Sequence, residues 1–245
     1  MGAMPLQHEY DYPESDGQPM AETSFHWKVM VHTTLALVRW YEATPDVWVG
    51  SNLFLYPEKD KPGIAPDVLV VRGVTKEDRR TFKVWEEGGH VPFFVLEVTS
   101  KDTKREDPGK NKAIYQAMGV TEYFLFDPLN EYLKPRLQGY ELTALGYRPI
   151  QRLVDGSLPS KTTGLLLRGE GPRLRLVDAM TGAPLLWPDE VEAARQLAEE
   201  RAEQEAAARR SAEVRALAAE ERAERETAAR RALEEELSRL RNERG

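Results

Sequence analysis

The chain of 245 residues contains no cysteine. That absence excludes a disulfide framework, a thiol nucleophile and any zinc site built on thiolates, and a reducing cytoplasm is the expected setting. Long apolar runs are missing too: nothing approaches the roughly 18 consecutive apolar residues that a membrane helix needs. The opening stretch MGAMPLQHEYDYPESDGQP is too polar for a signal peptide. His8, His26, His32 and His90 show no HxH or HExxH spacing, which argues against a zinc site. No P-loop, dinucleotide glycine motif or nucleophile elbow occurs. Nor is there a basic excess. The formal net charge of -7 favours solubility and gives no overall pull toward nucleic acid or anionic membrane.

From Asp189 onward further residue types drop out. There is no proline, no aromatic residue and no glycine before the last position. What remains is Ala, Glu and Arg with a few Leu, the palette of a long helix. AEERAEQEAAARR at 198–210 recurs as AEERAERETAARR at 219–231, an offset of 21 residues, or three heptads. One frame puts Val191, Ala198, Ala202, Ala212, Ala216, Ala219, Ala223, Leu233, Leu237 and Leu240 on a single seam, as in a coiled coil, with Glu205, Arg209, Glu226 and Arg230 interrupting it once per repeat. Alanine buries little area, so association through this seam is expected to be weak except near the leucines. The alternative is a lone solvated helix held by i,i+4 Glu–Arg pairs.

Ahead of the tail the pattern is mixed. ETSFHWKVMVHTTLALVRWYE (22–42) has helical apolar spacing, with Thr23 or Ser24 as cap. VWVGSNLFLYP reads as strand, turn and strand. APDVLVV (65–71), VPFFVLEVT (91–99) and EYFLFDP (122–128) are strands apolar on both faces. Residues 104–118 form a helix that Gly119 ends, and 131–180 alternates short strands with turns. Two-faced strands imply a sheet covered on both sides by helices, hence a compact α/β domain.

Glu97 stands inside one of those two-faced strands. An unpartnered carboxylate there would cost several kcal/mol or more, so it is hydrogen-bonded, ion-paired, protonated or on a metal. Asp67, after Pro66 at the head of another such strand, poses the same question. If the two strands are neighbours the carboxylates converge, and two hard oxygen donors in one cleft suit Mg²⁺ or Mn²⁺. Lys101, Lys104, Arg105, Lys110 and Lys112 follow just beyond the Glu97 strand. A cation on the acids would activate a water and neutralise a phosphate oxygen, and a nearby ammonium would stabilise charge building on phosphorus. Taken singly, each piece has a structural explanation; their order and spacing together point to phosphodiester hydrolysis.

APDVLVV, FVLEVTSKDTKRED and KAIYQAMGVTEYFLFDP, with the flanking RRTFKVWEEG and NEYLKPRLQGYEL, resemble the Uma-two family of restriction-endonuclease-like proteins over about residues 10–185. The resemblance implies a restriction-endonuclease-like core, a central mixed sheet flanked by helices, with a long C-terminal helix or coiled coil. It divides the chain into an extension (1–20), the nuclease-like domain (21–188) and the helical tail (189–245). It implies metal-dependent cleavage of DNA, with Asp67 and Glu97 matching the motif acids and Glu22 a third carboxylate that joins the metal. The motif lysine two residues after the acid is replaced here by Thr99. The branch's own lysine position, four before Tyr115, holds Asn111, so the role falls to Lys112 ahead of Lys110. Lys101, Lys104 and Arg105 are expected on the DNA backbone, and the tail is expected to make a homodimer or larger assembly. The competing readings are a catalytically degenerate fold that only binds nucleic acid or protein, and a coiled-coil scaffold with the globular part as cargo. A glycosidase ranks last, because no aromatic sugar platform adjoins the acids.

Overall fold

A computed structural model describes residues 10–15, 23–99 and 108–242. Packing divides the chain into Met1–Trp187 and Pro188–Gly245.

In the first unit Thr23 opens helix α1 (Ser24–Trp40), its hydroxyl accepting the His26 backbone N–H at 3.2 Å. The buried face of α1 carries His26, Val29, Met30, Thr33, Ala36 and Leu37, the stripe that helical spacing predicts. Strands β1 (Val47–Gly50) and β2 (Leu55–Tyr56) follow, then β3 (Val68–Arg72), β4 (Phe82–Lys83) and β5 (Pro92–Val98). Helix α2 (Pro108–Met118) ends at Gly119, whose φ of +91° is the left-handed stop that glycine adopts freely. Then come β6 (Glu122–Phe126), β7 (Leu137–Thr143) and β8 (Gly146–Pro149). The main sheet has the order β1-β3-β5-β6-β7-β8. Its pairs are antiparallel except β5 with β6, which α2 links as a crossover.

Both faces of the central strands are buried. Val68, Val70, Phe94, Leu96, Phe124 and Phe126 form one core with α1, and Leu69, Val71, Val95, Tyr123 and Leu125 form the other with Tyr115 of α2. Helices alone do not cover them. On the α1 side a three-stranded sheet, β9 (Leu158–Ser160), β10 (Leu165–Glu170) and β11 (Arg173–Asp178), adds Leu158, Leu165, Leu167, Leu174 and Leu176. On the α2 side the parallel β2–β4 pair adds Leu55 and Phe82. These short strands bring apolar faces of their own, and pressing them on the main sheet removes both surfaces from water.

The second unit is one helix, α3 (Pro188–Asn242), 55 residues and so about 80 Å long. Arg195–Glu199, Arg225–Glu221 and Arg230–Glu234 are i,i+4 ion pairs along it. From Val191 on, every described side chain is exposed, including Val214, Leu217 and Leu233. Among the described residues no helix is long and apolar enough to cross a membrane.

Candidate active site

Strand register brings the two acids together. β3 runs antiparallel to β5 with Val68 opposite Leu96, so one step outward Asp67 faces Glu97. The Asp67 backbone N–H donates to Glu97 Oε2 at 3.3 Å, and the Val98 N–H donates to Asp67 Oδ2 at 2.6 Å. The backbone around Asp67 is pinned as well. Ser51 Oγ donates to the Asp67 carbonyl at 2.7 Å and the Asn52 N–H to the Pro66 carbonyl at 3.0 Å.

Two further side chains complete the arrangement. His26, buried on α1, meets Asp67 Oδ2 through Nε2 at 3.1 Å. A carboxylate only accepts, so Nε2 carries the hydrogen. Tyr115, buried on α2, donates its hydroxyl to Glu97 Oε1 at 2.6 Å. Among the described residues no lysine or arginine pairs with either acid.

The Glu97 carboxyl is therefore pushed well above the usual carboxylate range. Burial is the main cause and the Asp67 charge beside it the next, while hydrogen bonds from Tyr115 and the Asp67 backbone act in the opposite direction. Tyr115 is raised well above an ordinary phenol, by burial and then by the Glu97 charge. The donor set is hard oxygen, two carboxylates from fixed strands, which fits a divalent ion that keeps waters and takes substrate phosphate as its other ligands. Among the described residues no group of three or more His, Asp or Glu side chains is arranged to hold a metal by itself.

The basic residues separate. The Lys112 ammonium lies 3.5 Å from the centroid of the Tyr140 ring, and burial lowers its pKa. Lys110 is exposed, and Asn111 is partly buried one turn before Tyr115. Glu22, Lys101, Lys104 and Arg105 lie outside the described residues. Neither His26 nor Tyr115 belongs to a motif that singles it out in the sequence. The available signals were positional: His26 continues the apolar stripe of α1, where a buried imidazole needs a polar partner, and Tyr115 sits on the helix that follows the Glu97 strand.

The mixed sheet thus presents two acids from antiparallel neighbours, beside a parallel β–α–β crossover. The chain belongs to the Uma2 family, whose model, described as "Putative restriction endonuclease", matches residues 3–167. Among solved structures it is similar to a "putative nuclease belonging to DUF820" from Anabaena variabilis ATCC 29413. The TM-score is 0.44 and the identity 13%, over 58% of this chain and 75% of that one. No curated protein matches. Membership in this family supports a nuclease, and families of this type generally use divalent metals.

Proposed function

We propose that this chain hydrolyses DNA phosphodiester bonds with Mg²⁺ or Mn²⁺ held by Asp67 and Glu97. One observation carries this reading: Asp67 and Glu97 stand opposite each other on adjacent strands, with the Asp67 N–H on Glu97 Oε2, and no described lysine or arginine pairs with either. A bound divalent cation would supply charge neutralisation at the phosphate and a water acidified enough to attack it. The protein's own groups set the geometry. His26 and the Val98 N–H fix Asp67 Oδ2, and Tyr115 fixes Glu97 Oε1, so both acids are aimed before substrate arrives. Glu97 must lose its proton for the site to load, and Tyr115 favours that loss. Lys112 serves the phosphate from its perch on Tyr140, with Lys110 as the outer cation. Glu22 is proposed as a further ligand, and Lys101, Lys104 and Arg105 as backbone contacts. The division at Trp187 supports a nuclease-like domain, after a short extension, with a separate tail, 189–245; the heptad repeat of that tail is proposed to associate the protein into dimers or larger assemblies, with the cytoplasm as its setting.

Asn111 favours a second reading, a fold that binds nucleic acid without cutting it, since Lys112 is turned about 100° from the Asn111 position and its ammonium lies over the Tyr140 ring. Incubation of plasmid and single-stranded DNA with Mn²⁺ decides between them. Cleavage by the wild type, lost in Asp67→Ala and Glu97→Ala while both stay folded, is the expected result. Salt-sensitive binding without cleavage, unchanged in Asp67→Ala, would establish the second reading instead.

A further inference from the structure

Two adjoining depressions lie beside β7 and β8, of about 600 Å³ and about 280 Å³, sharing Pro149, Ile150 and Arg152. Lys134, Arg148, Arg152 and Lys161 line them against one carboxylate, Glu141. Glu141 is shared by Arg148 at 2.7 Å and Lys161 at 2.9 Å, so it offsets only part of their charge. This is a positive concavity on a chain whose formal net charge is -7.

Its position follows from strand register. Glu97 pairs with Leu125 on β6, and Leu125 pairs with Gln138 on β7. Cross-strand partners share a face, so Gln138 lies in the row of Glu97, two strand spacings or about 10 Å away. Gln138 lines the smaller depression, and so does Tyr140, which carries the Lys112 ammonium. The smaller depression thus starts on the face of the acid pair, beside Lys112, and the groove turns past Lys134 and Arg152 around the edge of β7 to the larger depression on the opposite face, where Glu141 and Arg148 stand in the row of Glu122. Apolar surface accompanies it: Leu153 is 44% exposed and Val154 fully exposed on the rim of the larger depression. Stacked bases inside a duplex would not reach such surface, whereas the unstacked bases of a single strand would.

We infer that this groove binds a single-stranded segment of DNA next to the cleavage site, with Lys134 and Arg152 on its phosphates and Leu153 and Val154 against its bases. The inference rests on the nuclease reading above. The test is fluorescence anisotropy of a labelled single-stranded oligonucleotide in chelator, which reads binding without cleavage. Lys134→Glu/Arg152→Glu is expected to bind at least about ten-fold more weakly near 0.1 M salt. Its slope of log K against log salt should be shallower by about 1.4, two contacts at about 0.7 each. Lys134→Glu alone, at an exposed side chain, should give a smaller loss in the same direction. Lys59→Glu/Lys61→Glu, with the same net charge, should bind like the wild type. Unchanged binding by the groove variants, an equal loss in the Lys59/Lys61 control, or a wild-type preference for duplex of the same sequence overturns the assignment. Failure here leaves Asp67 and Glu97 to be judged by cleavage alone. Loss of cleavage activity in the acid variants leaves this binding result standing.

Discussion

Replacing Glu97 with glutamine separates what the acid pair costs the fold from what it gives the chemistry. The amide has the same shape. Its Oε1 still accepts the Tyr115 hydroxyl, now held at 2.6 Å; its NH₂ takes the place of Oε2, where it donates to the Asp67 carboxylate and gives up the 3.3 Å bond that Oε2 accepted from the Asp67 N–H. Hydrogen bonds to charged groups contribute about 1.5–3 kcal/mol, so after the cost of desolvating the amide the variant is expected to gain about 1–2 kcal/mol at pH 8. For a unit of this size 1 kcal/mol moves Tm by about 2–4 °C, giving a rise of about 2–8 °C. The gain depends on pH in a defined direction. The folded pKa of Glu97 is raised, so in the wild type the folded state keeps a proton that the unfolded chain gives up above about pH 4.3. Wild-type stability from this group is therefore full below that pH and falls as pH climbs toward the folded pKa. The glutamine variant has no such loss, so the two melting curves should converge near pH 4 and part as pH rises. Thermal melts by circular dichroism from pH 4.5 to 8.5 in chelator measure this. Adding Mn²⁺ at about 100 times its Kd should stabilise the wild type by about 2.7 kcal/mol and the variant far less. A variant that melts below the wild type at pH 8, or a gap that ignores pH, would refute the proton-sharing pair.

Tyr115→Phe removes the donor to Glu97 Oε1 and should push the Glu97 pKa higher still; Mn²⁺ affinity by titration calorimetry should fall about ten-fold at pH 6.5 and less at pH 8.5, since a charged hydrogen bond contributes about 1.5–3 kcal/mol. Asn111→Lys places an ammonium one turn from Tyr115 on its own face, and the single-turnover cleavage rate should rise at least about ten-fold; an unchanged rate would show that Lys112 already fills the role. Truncation after Pro188 should reduce the solution mass from a dimer to a monomer by light scattering and leave DNA cleavage unaltered; a truncated protein that remains dimeric rules out assembly through α3.

Much of the fold is legible because burial pattern and strand period are local properties. APDVLVV, PFFVLEV and EYFLF are apolar on both faces, and a strand with that pattern has to lie inside a covered sheet. Gly119 marks the end of α2 because the left-handed turn there suits glycine. The covering layers are less legible. LYP, FKV and the leucines of 158–176 are too short and too evenly spaced to reveal which face of which sheet they close, and their placement depends on long-range packing.

The site divides along the same line. That Asp67 and Glu97 raise a charge problem can be read from one strand at a time; that they solve it jointly requires the register of β3 on β5. His26 and Tyr115 come from helices on opposite faces of the sheet, and nothing in their own segments says that each ends on one of the two acids. The same geometry bears on the missing lysine. An ammonium at the motif position would stabilise both acids in their ionised form; without one, burial and the Asp67 charge hold the Glu97 carboxyl well above the usual carboxylate range. On the proposed reading, loading of metal would be coupled to loss of the Glu97 proton, so the departure at Thr99 and Asn111 should make cleavage depend more steeply on pH and on metal concentration than a lysine-supported site would.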